Sequence, residues 1–143
     1  MNRINERVVE FLNDENLKLK ELAVYLKMDV SIIHTWRRNE SYPSTRYLIK
    51  LCEYFDCSVE YMLNRTEEYG KGVVEIVDSF ANRVKFLMKL KNKTTYQMVK
   101  KDHVCSSSAF DRWFKKNVVP SPETLVKLAD YFNVTVDYLL GRE

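Results

Sequence analysis

Basic side chains are concentrated in one part of this 143-residue chain. Ten lysines and arginines lie between Arg83 and Lys116, and only Asp102 and Asp111 oppose them, whereas residues 1–70 carry a net charge of −2. A cationic surface of this kind attracts polyanions such as nucleic acids. The same run also fits an ordinary solvated helical surface. Charge alone therefore leaves both interpretations open.

Polar side chains recur at helical spacing in residues 29–38. Ile32, Ile33 and Trp36 form an apolar stripe that is expected to face a core, which leaves four polar side chains outward. Hydroxyl, imidazole and guanidinium groups on one helix face can bind the base edges or the phosphates of a duplex. His34 also fits a surface residue with no such role. The four outward residues are Ser31, His34, Thr35 and Arg38.

Other kinds of site find little support in the residue types. The chain has two histidines, three cysteines without metal-ligand spacing and no Gly-rich phosphate loop. We therefore expect no enzyme activity, no metal and no cofactor. Cys52 and Cys57 are expected to be reduced and to pack as small core residues. No apolar run reaches the length of a membrane span and no signal-peptide core is present, which favours the cytoplasm.

The apolar spacing predicts short helices throughout, and therefore an all-α fold. Asp29, Ser44, Ser58 and Ser121 each stand where an N-cap is expected, just before an apolar helical pattern. The helices of the first half are predicted over about Ile4–Glu15, Leu19–Lys27 and Asp29–Arg38, and then after Ser44 and after Ser58.

The second half repeats this plan. Residues 48–65 and 125–142 share nine of 18 residues at an offset of 77. A repeat of this length divides the chain almost in half, and each half is large enough for a small helical core. The sequence therefore predicts two domains, residues 1–66 and 73–143, joined by a linker of residues 67–72.

Two irregularities accompany the repeat. Up to Val99 the offset between matching residues of the two halves is 76 rather than 77, which places one additional residue of the second half between Val99 and Cys105. In addition, residues 73–90 are predicted to form one long helix whose apolar surface is wider than a single core takes up. The surplus surface fits packing between the two halves, or a homodimer interface through this helix.

The segment LKLKELAVYLKMDVSIIHTWRRNESYPSTRYLIKLCEYFDCSVEYML resembles the DNA-binding domain of phage repressors and Cro, which belongs to the xenobiotic-response-element family of regulators. The second half resembles the same domain. The resemblance implies two lambda-repressor-like five-helix domains in tandem, each with a helix-turn-helix. The resemblance rests on matching residues in both halves. In the first half these are Leu22, Ala23, Leu26, Met28, Ser31, Ile33, Trp36, Pro43, Leu48, Leu51, Phe55, Val59 and Leu63. In the second half they are Arg83, Leu87, Met98, Ser108, Phe110, Trp113, Pro120, Leu125, Leu128, Ala129, Phe132, Val136, Tyr138 and Leu140.

The resemblance also implies which residues contact DNA. The third helix of each half, called the reading helix below, would lie in the major groove. Arg112 is the leading candidate to read a base, while Lys115 and Lys116 would contact phosphates. The triple serine before Arg112 also fits a plain helix cap. The full set is Val30, Ser31, His34, Thr35, Arg38, Thr95, Ser106, Ser107, Ser108, Arg112, Lys115 and Lys116.

The predicted function is a sequence-specific transcriptional regulator that binds double-stranded DNA through both halves. Departures from the family leave a protein-binding adaptor or anti-repressor open. Leu19 and Thr95 replace the glutamine that begins the second helix, and Arg37 and Phe114 replace the glutamate after the tryptophan. Under this alternative the acidic first half is the one that has lost DNA contact. We expect neither a membrane partner nor a small-molecule effector, because no sensor domain follows the second half.

Overall fold

The computed structural model describes residues 3–143, with side chains from Ile4 onward. The regular elements in that range are all helical, as the sequence predicts. The chain divides into two compact units. Unit one ends at Val73, and unit two is Val74–Glu143.

Unit one begins with a 3-10 turn, Arg3–Asn5, and continues with short α-helices. Leu22, Ile33, Leu48 and Leu63 are fully buried between them, at positions that the helical spacing predicts. The helices are α1 (Glu6–Leu12), α2 (Leu19–Leu26), α3 (Val30–Arg37), α4 (Thr45–Phe55) and α5 (Val59–Met62).

Two details of unit one differ from the prediction. α1 ends at Leu12 rather than Glu15, because Asn13 leaves helical geometry and its side-chain amide donates to the Val9 carbonyl at 2.8 Å. Ile32 is 43% exposed instead of buried. Ile33 and Trp36 fill the inward face of α3, and Ile32 lies about 100° around the helix from Ile33.

Side-chain caps start two helices of unit one as predicted. The Asp29 carboxylate accepts from the Ser31 N–H at 2.8 Å, and the Ser58 hydroxyl accepts from the Tyr61 N–H at 3.0 Å. Ser44 also occupies a cap position, in extended conformation, but its hydroxyl makes no cap hydrogen bond.

Unit two repeats the order of elements, with a π-helix in place of the second α-helix. Met98 and Trp113 are at most 2% exposed in its core. The last long helix starts where the sequence predicts, because the Ser121 hydroxyl accepts from the Thr124 N–H and Pro122 occupies the first helical position. The helices are α6 (Phe80–Leu90), the π-helix (Gln97–Lys101), α7 (Ser107–Phe114), α8 (Pro122–Phe132) and α9 (Val136–Leu139).

The extra residue of unit two is accommodated around the π-helix. The Asp102 N–H donates to the Gln97 carbonyl, five residues earlier, at 2.8 Å. The turn that follows is also longer: residues 102–106 separate the π-helix from α7, whereas residues 27–29 separate α2 from α3. The change of offset in the sequence is therefore a local widening of the second helix and its turn.

Residues 73–79 are not helical, so the predicted single helix over residues 73–90 is wrong. Four of these seven residues are β-branched, which disfavours a helix. The Ser79 hydroxyl then starts α6 by accepting from the Asn82 N–H at 3.1 Å. The Val77 N–H donates to the Gly141 carbonyl at 2.9 Å, so this stretch is held against the end of unit two.

Apolar side chains remain exposed in the region predicted to mediate a homodimer. Val77, Phe86 and Leu90 are 61%, 53% and 63% exposed. They do not form one helical stripe, because Val77 precedes α6 in irregular backbone.

Residues 67–72, which the sequence predicts to link the halves, contact unit one. The Tyr69 carbonyl accepts from the Ser58 N–H at 2.9 Å. The Gly72 N–H donates to the Asp56 carboxylate at 3.1 Å. The segment is thus attached to unit one by its backbone.

An ion pair recurs in the two units at an offset of 77 residues. Arg65 Nε lies 2.6 Å from Glu60 Oε2, and Arg142 Nε lies 3.9 Å from Asp137 Oδ1. In both pairs the acidic residue is the second residue of the last short helix of its unit. The same pairing of residue types therefore occurs twice, with a longer separation in unit two.

Candidate nucleic-acid interface

The N-terminal end of α3 presents a carboxylate. Asp29 accepts from the Ser31 backbone N–H, and this hydrogen bond lowers the pKa of Asp29 below its ordinary value. Ser31 is exposed, and Val30 is half-buried beside it. Ser31 is thus accessible to a ligand, but an anion that approaches this end of α3 meets an ionised carboxylate at neutral pH.

Neighbouring groups engage the polar side chains at the C-terminal end of α3. The Thr35 hydroxyl donates to the Ile32 carbonyl at 2.6 Å and lies 2.5 Å from the Ser41 hydroxyl. Arg38 forms a two-point ion pair with Glu40, with Nε–Oε1 2.9 Å and Nη2–Oε2 3.3 Å. The hydrogen bond from Arg38 lowers the pKa of Glu40. Arg38 is accessible, but its charge is matched by a carboxylate.

His34 is turned partly inward. Its side chain is half-buried, and its Nδ1 atom is buried without a hydrogen-bond partner in the part of the chain that the structure describes. An unsatisfied buried polar atom of this kind costs about 1–3 kcal/mol. Only the remaining part of the imidazole is available to a ligand.

The start of α7 presents hydroxyls where α3 presents a carboxylate. Ser106 occupies the cap position that matches Asp29. Its hydroxyl lies 3.1 Å from the Ser108 hydroxyl and makes no cap hydrogen bond to α7. Ser107 is exposed between them. The cap interpretation therefore lacks its hydrogen bond, and the three hydroxyls lie on an open surface.

Cationic groups follow the serines along α7. Arg112 is exposed, and its Nη1 donates to the Ser108 hydroxyl at 3.3 Å. Lys115 Nζ lies 3.4 Å from Asp111 Oδ1, with the lysine side chain 81% exposed. Lys116 is exposed as well. α7 thus carries a guanidinium, and two ammonium groups follow directly after its last residue, Phe114; the Asp111 carboxylate contacts one of them.

Thr95 is exposed at the start of the helix before α7. The Thr94 hydroxyl accepts at 3.1 Å from the N–H of Gln97, where the π-helix begins, and Tyr96 occupies the cap position of that helix. Tyr96 is 64% exposed next to Thr95, and sequence reasoning missed it because one tyrosine in a polar run shows no periodicity. A groove of about 320 Å³ is lined by Thr95, Tyr96, Val99, Lys100, Ser107 and Phe110.

Arg46 is a further exposed cation that the sequence pattern does not single out. It is exposed on the first turn of α4, with its guanidinium 5.8 Å from the Tyr47 ring centroid. A cation at a helix N-terminus opposes the helix dipole.

The cysteines of the described residues are not grouped with other potential metal ligands. Cys52 and Cys57 are fully buried, as predicted for small core residues. Cys105 is half-buried, and burial raises the pKa of its thiol, which lowers the thiolate fraction. Among the described residues no group of three His, Cys, Asp or Glu side chains is arranged to hold a metal ion.

Comparison with protein families identifies the first half of the chain. Residues 7–67 match the family described as the Cro/C1-type HTH DNA-binding domain. Unit one contains a Cro/C1-type helix-turn-helix domain. This domain suggests DNA as the partner of the chain and transcriptional regulation as its role.

The match ends before unit two. No curated protein and no solved structure matches the chain. No helix in the described range is long and apolar enough to cross a membrane. The Cro/C1-type domain includes Val30, Ser31, His34, Thr35 and Arg38, whereas the predicted contacts of α7 lie outside the matched residues.

Proposed function

We propose that this chain is a sequence-specific transcriptional regulator that binds double-stranded DNA through two helix-turn-helix units. The observation that carries the proposal is the Cro/C1-type domain at residues 7–67 together with the repeat of its elements in a more basic unit two. Chain limits of 1–66, 67–72 and 73–143 for the two domains and their linker remain part of this proposal.

Repeated backbone features support a second helix-turn-helix in unit two. Lys27 directly follows α2 and His103 lies two residues after the π-helix, and their φ angles are 55° and 54°. Asp56 and Asn133, which end the fourth helix of each unit, have φ of 54° and 55°. Left-handed backbone at non-glycine residues is uncommon, so its recurrence at matching places reflects the same chain path.

In this proposal α3 and α7 are the reading helices. Arg112 would take a guanine, or a phosphate beside it, because its guanidinium is exposed and its partner is a neutral hydroxyl. Lys115 and Lys116 would neutralise phosphates. The small side chains of Ser106 and Ser107 would let the start of α7 approach the backbone closely. The two reading helices differ in sequence, so the preferred site is asymmetric or an imperfect palindrome.

The proposal extends to assembly and location. A homodimer would bury Phe86 and Leu90, which α6 leaves more than half exposed. The cytoplasmic location that the sequence predicts is also part of this proposal. A sizing measurement across concentration, repeated with Phe86→Ser and Leu90→Ser together, tests the dimer: concentration-independent monomer size would contradict it.

Selection from a pool of random duplexes tests the main proposal. The full chain should enrich a defined sequence, prefer it to random competitor, and bind it less tightly as salt increases, because counterion release supplies much of the affinity. Arg112→Ala should lower affinity at least tenfold and relax specificity at one position. Affinity that does not depend on salt, or no enrichment over competitor, would contradict a DNA-binding function.

A protein-binding adaptor is the second candidate, and apolar exposure on unit one favours it. Val24, Tyr25 and Ile32 on α2 and α3 are 78%, 44% and 43% exposed. Exposed apolar side chains on neighbouring helices suit a protein partner better than a phosphate backbone. Ile32→Ser distinguishes the candidates, since an adaptor should lose its protein partner while keeping its fold, and a DNA reader should keep most of its duplex affinity.

A further inference from the structure

We propose that the two units contribute unequally to DNA affinity. α7 of unit two makes the contacts that hold the duplex, and the carboxylates Asp29 and Glu40 keep α3 of unit one from binding phosphates by itself. The inference rests on the proposed DNA-binding function and names the residues that divide the work between the units.

Negative charge stands at both ends of α3. Asp29 is ionised at the N-terminal end, where its hydrogen bond with the Ser31 N–H uses a backbone group that could otherwise bind a phosphate. Glu40 stands just past the C-terminal end, with Oε1 2.9 Å from Arg38 Nε. A phosphate that approaches α3 is repelled at one end and must displace a carboxylate at the other.

Because Arg38 is paired with Glu40, α3 loses the main positive charge with which it could attract a phosphate. Arg38 and Glu40 together carry no net charge, so they neutralise no phosphate and release no counterion from the duplex. The Thr35 hydroxyl is occupied as well, because it donates to the Ile32 carbonyl and lies within hydrogen-bond distance of Ser41. Both predicted contacts of this turn would have to exchange existing partners before they could reach DNA.

α7 lacks the first restraint, and at the place that matches Arg38 it holds the second in a weaker form. Its cap position holds Ser106, which is neutral and makes no cap hydrogen bond. Arg112 donates to the hydroxyl of Ser108 at 3.3 Å, which leaves its positive charge uncompensated by that partner. Lys115 does contact Asp111, but through one 3.4 Å contact in an open setting where such pairs are weak.

The unit that matches the family is therefore not the unit that supplies most of the DNA affinity. The residues that match a Cro/C1-type domain lie in unit one, whereas Arg112, the reading-helix arginine with a neutral partner, lies in unit two. A fold supplies the placement of a reading helix, and the side chains on that helix decide how strongly it binds.

Charge-neutralising variants of the full chain test the proposal. Asp29→Asn with Glu40→Gln removes both carboxylates while keeping a capping side chain and the shape of residue 40. Glu68→Gln with Glu75→Gln is the matched control, because it changes net charge equally at exposed residues outside helices. The duplex affinity of each variant is measured across about 0.05–0.5 M salt, so that the slope of log K against log salt can be determined.

Freeing Arg38 for one phosphate contact should steepen the slope of log K against log salt by about 0.9 and tighten binding by about eightfold at 0.1 M salt. The control pair should change neither the slope nor the affinity by a comparable amount. Conversely, Ser106→Asp, which gives α7 the cap residue of α3, should weaken binding several-fold. Circular dichroism and thermal unfolding establish that each variant is folded.

Alanine substitutions complete the comparison. Arg112→Ala, Lys115→Ala and Lys116→Ala together should lower affinity by about several hundredfold if three phosphate contacts are lost. Thr35→Ala with Arg38→Ala should lower it less than about threefold.

Two outcomes separate this inference from the proposed function. If the unmodified chain binds no duplex in preference to competitor, the proposed function fails and the inference fails with it. If the chain binds DNA, but the α3 alanines weaken binding as much as the α7 alanines, the inference is overturned while DNA binding stands. The same conclusion follows if the Asp29 and Glu40 variant behaves like its control.

Discussion

The guanidinium of Arg7 lies 3.8 Å from the centroid of the Tyr61 ring, and its Nη1 donates to the Tyr61 carbonyl at 2.7 Å. Unit two repeats the contact: Arg83 lies 4.1 Å from the Tyr138 ring and donates to the Tyr138 carbonyl at 3.2 Å. In each unit a buried arginine on the first α-helix, α1 or α6, thus contacts both the ring and the carbonyl of a tyrosine on the last short helix. Arg7 makes a further hydrogen bond, to the Thr66 carbonyl.

Arg7→Lys should lower the free energy of unfolding of unit one by about 2–4 kcal/mol, because an ammonium cannot stack on Tyr61 and donate to two carbonyls at once. Arg83→Lys should cost less, since its hydrogen bond is longer. Urea denaturation followed by the fluorescence of Trp36, in a Trp113→Phe background, measures the change for unit one. Arg46→Lys, at an exposed site, is the control, and an Arg7 effect no larger than this control would contradict the prediction.

Gly72→Ala should destabilise unit one by about 1–3 kcal/mol or more, since an added side chain would overpack the site. A Cβ at residue 72 would lie 2.0 Å from the Cys52 carbonyl oxygen, and backbone must move to make room. The same urea experiment measures this change. Lys71→Ala, one residue earlier and exposed, should leave the midpoint nearly unchanged. An unchanged midpoint for Gly72→Ala would mean that residues 67–72 do not pack on unit one.

The serine caps of unit one should differ in strength. Ser58→Ala should cost about 1 kcal/mol, because the Ser58 hydroxyl accepts from the Tyr61 N–H. Ser44→Ala should cost less, because Ser44 makes no side-chain cap bond. Thr135→Ala, which removes the cap of α9, should match Ser58→Ala in its own unit. Thermal or urea unfolding ranks the three variants, and an equal cost at Ser44 would contradict the structure.

The phenol of Tyr131 should ionise unusually late. Partial burial and the hydrogen bond from Tyr131 to the Asp102 carboxylate at 2.5 Å raise the pKa of Tyr131 to about 12. Because an unfolded tyrosine ionises near about 10, the stability that this group contributes is present below that pH and is lost as pH rises towards 12. Asp102→Asn should move the midpoint of Tyr131 back towards the ordinary value.

An NMR titration of the tyrosine ring carbons checks the Tyr131 prediction, with Tyr131→Phe used to assign the signal. Over the same range, unfolding of the unmodified chain should become easier with pH by more than that of Tyr131→Phe. A midpoint near 10 for Tyr131 would contradict the hydrogen bond to Asp102.

Local sequence features predict most of the helices. The apolar spacing around Leu22, Ile33 and Leu48 predicts buried faces, and all three residues are fully buried. Asp29, Ser58 and Ser121 predict helix starts because a cap acts on backbone groups only two or three residues away. Such features depend on neighbours within one helical turn, and the sequence lists those neighbours directly.

Long-range partners explain the failures. Residues 73–79 have an apolar pattern that also fits a helix, but Val77 pairs with the backbone of Gly141, which lies far away in sequence. Spacing likewise offers no means to choose whether Ile32 or its neighbour Ile33 faces the core. Periodicity describes the direction of side chains around one axis, and the position of that axis in the fold is set by other segments.

The sequence by itself determined that this chain is helical, that its plan is written twice, and that its first half resembles a repressor-type DNA-binding domain. Only the tertiary structure decided that residues 73–79 leave the helix and that Val77 pairs with Gly141. The folded backbone also decided the state of the reading surfaces: it pairs Arg38 with Glu40, engages Thr35 with Ser41, and leaves Arg112 against a neutral serine. The reason is physical: residue type fixes the charge that a side chain can carry, but the turn that brings a partner within 3 Å decides whether that charge remains available to a ligand.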